Sequence, residues 1–575
     1  MSALPCIERR SPAHVMRLER LGSLHQSRLS FMRILLRRMQ GERWTFSRPK
    51  FDVNDNGVGH AVMCAHGPVR SYSLVAFFHD LPAEQRSDRV IAEAWDATFT
   101  LFDGIPTAQD IERLSRNVPL QEAGRVSERE LSLSRANRSV RLWEHVVNAL
   151  ASGVQPDTDY LHSVGYLMRT TAVYGSGKFG AADREEIADR AEFQAPFQVE
   201  MLTVYLIRSL TRDLVQAMAC KRARQTGNAE AAILDSSLVR TLGIGNSTGL
   251  GMAPFLLNHP VLLNNWLMVR EEALLRVRRV QRASDEEVRL FRHLLSRGVQ
   301  ALNDWQSEHA LQRKKLTSLK RDVQRLSEHV GQRDLHGNYP WNELQLWAEQ
   351  NLCTDAQEYL VSLMLEPYGG LVDGLADCLS ATEDLHCIDG AMTVATLCDD
   401  IRTRYDWALA IDWQSTVSNN FVWYTSEEKL EPRLGERQTE ALDAYEQPLS
   451  PARDIHHLYV ALKEVPAEQP IAQFLKQHPE HRHAVRRVQL LDNIPYGEIR
   501  DNTIGADLLP IDLLRCKLAF FGATRFDPRS DRWVRICLFA GAPYPEELAA
   551  GDAQFWPYPA ATQSQPAGNI PAGHV

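Results

Sequence analysis

Between residues 243 and 251 the chain reads Gly243-Ile-Gly-Asn-Ser-Thr-Gly-Leu-Gly251, and it then runs into the apolar segment Met252-Ala-Pro-Phe-Leu-Leu. Glycine at this density constrains the backbone more than any other stretch of the sequence. It serves where the chain must turn sharply, or where something must approach main-chain N–H groups closely. We read the run as a turn leading into a helix N-terminus, where successive N–H groups form an anion-binding concavity. The alternative is a tight turn whose glycines let helices pack closely. The run is not a nucleotide loop of a common kind. No Gly-Lys-Ser/Thr closes it, and Gly243-x-Gly245-x-x-x-Gly249 has one residue too many for the dinucleotide fingerprint. Nor does Ser236–Leu242 read as the β-strand that such a fingerprint follows.

A second loop, Tyr174-Gly-Ser-Gly-Lys-Phe-Gly180, repeats the theme and adds a cation, Lys178. Gly175 or Gly177 could equally cap the helical pattern at Leu161–Arg169. Lys178 can meet a phosphate or carboxylate, or serve as a base if burial depresses its pKa. The competing reading is a solvent-facing lysine on a turn. Arg169, Arg208, Arg212 and Arg240 lie on flanking segments and could complete a cationic cleft, although neighbouring acids would explain them as well.

At 575 residues the chain is too long for one core and implies two to four domains. With 44% hydrophobic and 24% charged residues it belongs with globular proteins. A net charge of −9 provides no global basic field for nucleic acid or anionic lipid. The nine cysteines are scattered without C-x-x-C spacing, which argues against a zinc ribbon and for buried thiols in a reducing compartment. No signal-peptide pattern is read at the N-terminus and no apolar run is long enough to span a bilayer. A cytoplasmic protein is expected, with neither nucleic acid nor membrane as partner.

The expected fold is α+β and predominantly α-helical: a helical central body with a β-hairpin near each terminus. The first hairpin pairs Gly59–His66 with Ser71–Phe78 around Gly67-Pro68, and the second pairs Lys517–Phe521 with Arg532–Phe539. Neither is stable alone, so the two are expected to share a sheet. Arg28–Arg43 reads as a core helix with a solvated basic face. Ser284-Asp-Glu-Glu287 is a capping box, followed by apolar residues at helical spacing through Val330. His336–Pro340 and Glu446–Pro451 are expected junctions. The regions drawn from these signals are 1–150 (α+β), 151–335 (helical, holding both glycine-rich loops), 336–450 (helical), 451–556 (α+β) and a flexible tail at 557–575.

The functional expectation is a soluble enzyme acting on a small carboxylate or phosphate by acid–base chemistry, lyase- or isomerase-like, where the two loops converge. Lys178 and His259 are the catalytic candidates. The binding candidates are Gly175, Ser176, Gly177, Arg240, Asn246, Ser247, Thr248, Gly249, Asn264, Asn265, Tyr496 and Arg500. The asparagines are costly inside a helix and so imply specific hydrogen bonds. Tyr496 and Arg500 sit on the most polar compact loop of the C-terminal third. No metal is expected, since His456-His457 and His481-x-His483 lack a carboxylate partner. No cofactor is expected either, with a flavin or nucleotide held without a common motif left open. The competing reading is a non-catalytic assembly protein that forms a homo-oligomer through helices in 261–330, its glycine-rich loops being packing turns.

Overall fold

The computed structural model describes residues 6–82, 85, 94–121, 124–170, 187, 189–227, 230–248, 260–379, 387–415, 423–426, 433–434, 446–449, 451–498, 510–523, 525–527, 534–551 and 555. The architecture is α+β with helix predominating. Nine strands form one mixed sheet. Seven come from the first half of the chain: β1 (Thr45–Val53), β2 (Gly59–His66), β3 (Ser71–Phe78), β4 (Ala97–Asp103), β5 (Glu130–Arg138), β6 (Tyr166–Thr170) and β7 (Gly243–Thr248). A small separate sheet holds β8 (Trp423–Ser426), β9 (Arg433–Leu434) and β10 (Glu446–Leu449). The last two strands of the large sheet are β11 (Arg525–Asp527) and β12 (Val534–Leu538). The large sheet runs β1-β2-β3-β4-β5-β6-β7-β12-β11. Every neighbouring pair in it is antiparallel except β6–β7.

The hairpin at 59–78 pairs in register from Gly59↔Phe78 to His66↔Ser71. The second pairing differs from expectation. Lys517–Phe521 is not a strand but a π-helical extension of the Pro510–Cys516 helix, and the partner of β12 is β11. Lys517, Leu518, Ala519, Phe520 and Phe521 are all buried. A short apolar run buried on every side carries no periodicity that separates strand from helix.

The sheet is covered on both faces, which is why β3 is buried from Tyr72 through Phe78. Tyr72, Leu74, Ala76 and Phe78 belong to the main core, where the Gln198–Thr226 helix crosses β3 to β7. Val75 and Phe77 face the other way and pack with Leu114 and Val118, at the end of the Ala108–Asn117 helix. Helices Asp285–Asn303 and Ala310–Gln332 follow the expected capping box, with Ser284 and Glu287 bonded reciprocally. Their apolar stripe, including Phe291, Leu295, Leu319, Val323 and Val330, is spent inside the main core. That stripe is therefore not a free face for self-association.

Two cores divide the chain in a way that sequence punctuation does not indicate. The main core gathers Val15 to Leu379 and Tyr496 to Leu548. A second core, built from residues between Val394 and Leu491, is assembled in between. The His336–Pro340 break is a turn inside the main core. Val330 and Trp341 on its two sides belong to that core, and Tyr339 adopts a left-handed φ of 52° with its N–H bonded to the Gln281 carbonyl.

The N-terminal segment is held by buried ion pairs. Arg10 forks onto Glu271, at 2.7 and 2.8 Å, and reaches Glu358 at 2.8 Å. Arg270 also meets Glu271 at 2.9 Å, and Arg20 meets Glu358 at 3.1 Å. The helix expected at Arg28–Arg43 is Phe31–Gly41, and its basic face is not wholly solvated. Arg33 is buried against Glu366, and Arg28 forks onto Asp373. Burial opposes ionisation of Glu271, but Arg10 and Arg270 outweigh it and hold the carboxyl down to about 2. Replacing Arg10 with Met leaves two buried carboxylates short of a counter-charge. We expect a loss of ~3–5 kcal/mol in urea-unfolding free energy, and a loss under ~1 kcal/mol would show the network to be dispensable.

His25 lies in the same segment, fully buried and edge-on to Tyr359 at 5.1 Å. Burial, assisted by Arg33 and opposed by Glu366, pushes its pKa down to about 4. The folded state therefore prefers neutral His25, whereas the unfolded chain binds a proton near pH 6.5. The resulting stability is complete above pH ~6.5 and is lost as pH falls toward 4, on the order of 3 kcal/mol in all. A pH series of unfolding midpoints should show this decline, and His25→Gln should flatten it between pH 6.5 and 4.

Candidate anion site at the parallel strand pair

The glycine-rich run resolves into two parts. Gly243–Thr248 is β7, in the interior of the sheet, and corrects the expectation of a turn. Gly249–Gly251 and His259 lie outside the described residues. Within β7 the first two glycines serve close packing. A Cβ on Gly245 would sit 2.5 Å from the Tyr166 ring, and one on Gly243 would sit 2.4 Å from the Leu538 carbonyl oxygen. Ser247 and Thr248 pair through the backbone with Arg535 and Val534 of β12, so their N–H groups belong to a strand and not to a nest.

The parallel pairing nevertheless sets Thr170, the last described residue before the second glycine-rich segment, beside Asn246 of the first. β6 and β7 run parallel, with Tyr166 opposite Gly243 and Arg169 opposite Gly245. The chain leaves β6 at Thr170 toward Gly175, Ser176, Gly177 and Lys178, and leaves β7 at Thr248 toward Gly249. Residues 171–186, which include those four, lie outside the described residues. Asn246 ties the two strand ends together: its Nδ2 donates to the Thr170 carbonyl at 2.9 Å. Its Oδ1 is buried without a hydrogen-bond partner among the described residues.

β5 continues this edge. Ala136 is opposite Thr170, whose hydroxyl donates to the Arg135 carbonyl at 3.1 Å. Thr98 of β4 is directly opposite Arg135. His79, just past β3, meets the Thr98 hydroxyl through Nε2 at 3.3 Å. Arg135 Nε donates to Gln121 Oε1 at 2.7 Å, and its guanidinium lies 5.3 Å from the centre of the Trp95 ring. Burial lowers its pKa below the ordinary arginine value. Neither Arg135 nor His79 figured among the residues expected from sequence. No strand was expected at 130–138, where serine and arginine dilute the apolar pattern. The alternation of Leu131 and Leu133 with Ser132 and Ser134 was the available signal.

Other expected site residues are engaged elsewhere. Arg240 braces the C-terminal segment, bonding the Gly541 carbonyl and Glu547. Arg208 is saturated by the carbonyls of Leu242, Ala542 and Arg240, and Arg212 pairs with Asp213 and Glu546. These three do not form a cationic cleft with the loops. Asn264 is buried, donates to Asn265 and accepts the Tyr496 N–H at 3.0 Å. The Tyr496 hydroxyl donates to the Arg10 carbonyl at 2.7 Å. Asn264 and Tyr496 therefore pin the returning chain to the Pro260–Arg278 helix and the N-terminal segment, away from a substrate role. Arg500 lies outside the described residues.

No cluster of three or more metal-ligating side chains occurs among the described residues, and no helix there is long and apolar enough to cross a membrane. No protein-family model matches this chain, and neither the curated proteins nor the solved structures contain a match.

The strand assignment gives Gly245 a steric role that substitution can read. Gly245→Ala forces Cβ against ring atoms close to the Tyr166 backbone, where little give is available. We expect a destabilisation of ~1–3 kcal/mol by overpacking, measured by urea unfolding. Unchanged stability would contradict the close approach of β7 to Tyr166.

Proposed function

We propose that the protein is an enzyme that binds a small carboxylate- or phosphate-bearing molecule at the C-terminal ends of β6 and β7. We propose acid–base chemistry of lyase or isomerase type, with Lys178 and His259 as the groups that move protons. The observation that supports this reading is the parallel pairing of β6 and β7. It starts both glycine-rich segments side by side, with Asn246 bonded across to Thr170. In open sheets, ligands favour the crevice beyond the carboxyl ends of parallel strands, where loops diverge. Glycine-rich backbone leaving such ends can present N–H groups to an anion. The assembly reading has less support, because the helical stripe it relies on is buried in the main core.

The test is calorimetric titration of the full chain with inorganic phosphate and with citrate, beside native mass spectrometry for a retained ligand. Lys178→Met should weaken anion binding about tenfold, the loss of one charge-assisted contact, with the melting temperature unchanged. Equal binding by the folded variant overturns the site. Where a carboxylic acid is retained, proton NMR in D2O reads exchange at the carbon beside its carboxylate. Exchange by the wild type that is lost in His259→Asn supports acid–base chemistry, and exchange by neither rejects it.

A further inference from the structure

Resting on the strand-end site just proposed, we infer that Arg135 is the cation that grips the ligand's carboxylate or phosphate, with Gln121 and Trp95 as its positioning residues. Three observations carry this. The first is location. Ala136 is opposite Thr170, so Arg135 is next to the pair that closes the described part of β6. It also lies on the sheet face that carries Thr98 and His79.

The second observation is how the guanidinium is held. Nε is engaged by Gln121 Oε1, while Gln121 Nε2 donates to the Ser134 carbonyl at 2.8 Å. Trp95 flanks the group, and the chain around Trp95 is itself fixed. Asn137 accepts the Asp96 N–H at 2.9 Å and donates to the Ala94 carbonyl at 3.3 Å. Gln121 adopts a left-handed φ of 51°, a conformation that costs a non-glycine residue energy and persists where surrounding contacts impose it. The side chain held in this way is the one that orients Arg135.

The third observation is what the guanidinium lacks. Among the described residues Arg135 has no carboxylate partner, and its two Nη groups make no hydrogen bond. Other partly or fully buried arginines differ: Arg10, Arg33 and Arg515 each face a carboxylate, and Arg208 is saturated by carbonyls. A half-buried cation whose Nη groups meet no partner among the described residues keeps the planar fork that matches a carboxylate or phosphate. The Thr98 hydroxyl opposite Arg135 and the His79 imidazole bonded to it, which burial keeps toward the neutral form, add uncharged hydrogen-bonding groups on the same face.

The experiment titrates the full chain with inorganic phosphate and with malonate by calorimetry, comparing wild type, Arg135→Gln, Gln121→Gly and Lys178→Met. In parallel, phenylglyoxal modification of Arg135 is quantified by peptide mass spectrometry with and without each anion. Arg135→Gln should weaken binding of at least one probe about tenfold or more, and that probe should protect Arg135 in the wild type. Gln121→Gly keeps the left-handed backbone without strain but frees the guanidinium, so affinity should fall without loss of melting temperature. Undiminished binding by Arg135→Gln, or binding of neither probe to the wild type, overturns the inference. Should Arg135→Gln fail to fold, absence of anion protection in the wild type overturns it as well. If only Lys178→Met loses binding, the strand-end reading stands and the role of Arg135 falls. If only Arg135→Gln loses binding, Arg135 holds the anion without the glycine-rich segments. Whether phosphate or malonate is the better probe distinguishes the two sources of the oxyanion.

Discussion

The buried charge cluster around Glu271 and Glu358 is the constraint on which the rest of the main body depends. Two carboxylates placed next to each other inside a core repel and are strongly desolvated, and each raises the cost of the other. They are tolerable because Arg10, Arg20 and Arg270 converge on them from two directions, the N-terminal segment and the Pro260–Arg278 helix. Each half supplies the counter-charge that the other needs. The segment from Ile7 to Leu21 thus contributes buried residues to the body and is not an appendage to it. The same arrangement recurs one turn of chain later, where Arg28 and Arg33 reach Asp373 and Glu366. Both clusters join segments more than 250 residues apart in sequence.

That long-range stitching explains how one body can be interrupted by a second core without splitting. The chain leaves the main core near Leu379, builds the Val394–Leu491 core, and returns at Tyr496. The return is fixed at once by polar contacts. Asn264 holds the Tyr496 N–H, and the Tyr496 hydroxyl holds the Arg10 carbonyl, so the re-entry point is tied to the residue that anchors the charge cluster. From there the chain supplies the Pro510–Cys516 helix and the edge pair β11–β12, which completes the sheet beside β7.

Sequence legibility followed the range of the physical signal. The hairpin at 59–78 and the helices of 285–332 were legible because turn residues, a capping box and 3.6-residue spacing are local. The predominance of helix was legible for the same reason. The Lys517–Phe521 helix was not, since burial on all sides erases periodicity. The strand identity of Gly243–Thr248 was hidden for a different cause. Glycine depresses strand propensity, and only the ring of Tyr166, 79 residues upstream of Gly245, explains why nothing larger fits. The roles of Asn264, Tyr496 and Arg240 were likewise set by partners distant in sequence, so their polarity was visible and its purpose was not. Arg135 escaped notice because its contacts with Gln121 and Trp95 are set by the fold, which no local pattern encodes.

The contrast among arginines bears on where function can reside in a fold of this kind. Burying a guanidinium is unfavourable unless the protein returns hydrogen bonds or negative charge. At Arg10 and Arg33 the return is carboxylate, and at Arg208 it is three carbonyls with the Tyr544 ring stacked at 3.9 Å. Each of those guanidinium groups is buried and already bonded within the protein. At Arg135 the described residues supply one amide oxygen, from Gln121 with its left-handed backbone, and the face of the Trp95 ring. Orientation is provided, and no carboxylate among the described residues neutralises the charge. In energetic terms that is a favourable starting state for binding an anion, because the cost of fixing the side chain is met during folding and the electrostatic gain is left for the ligand. Arg135 sits on β5 next to Ala136, which pairs with Thr170 at the end of β6, so under the proposed reading its charge would lie close to where the ligand is bound.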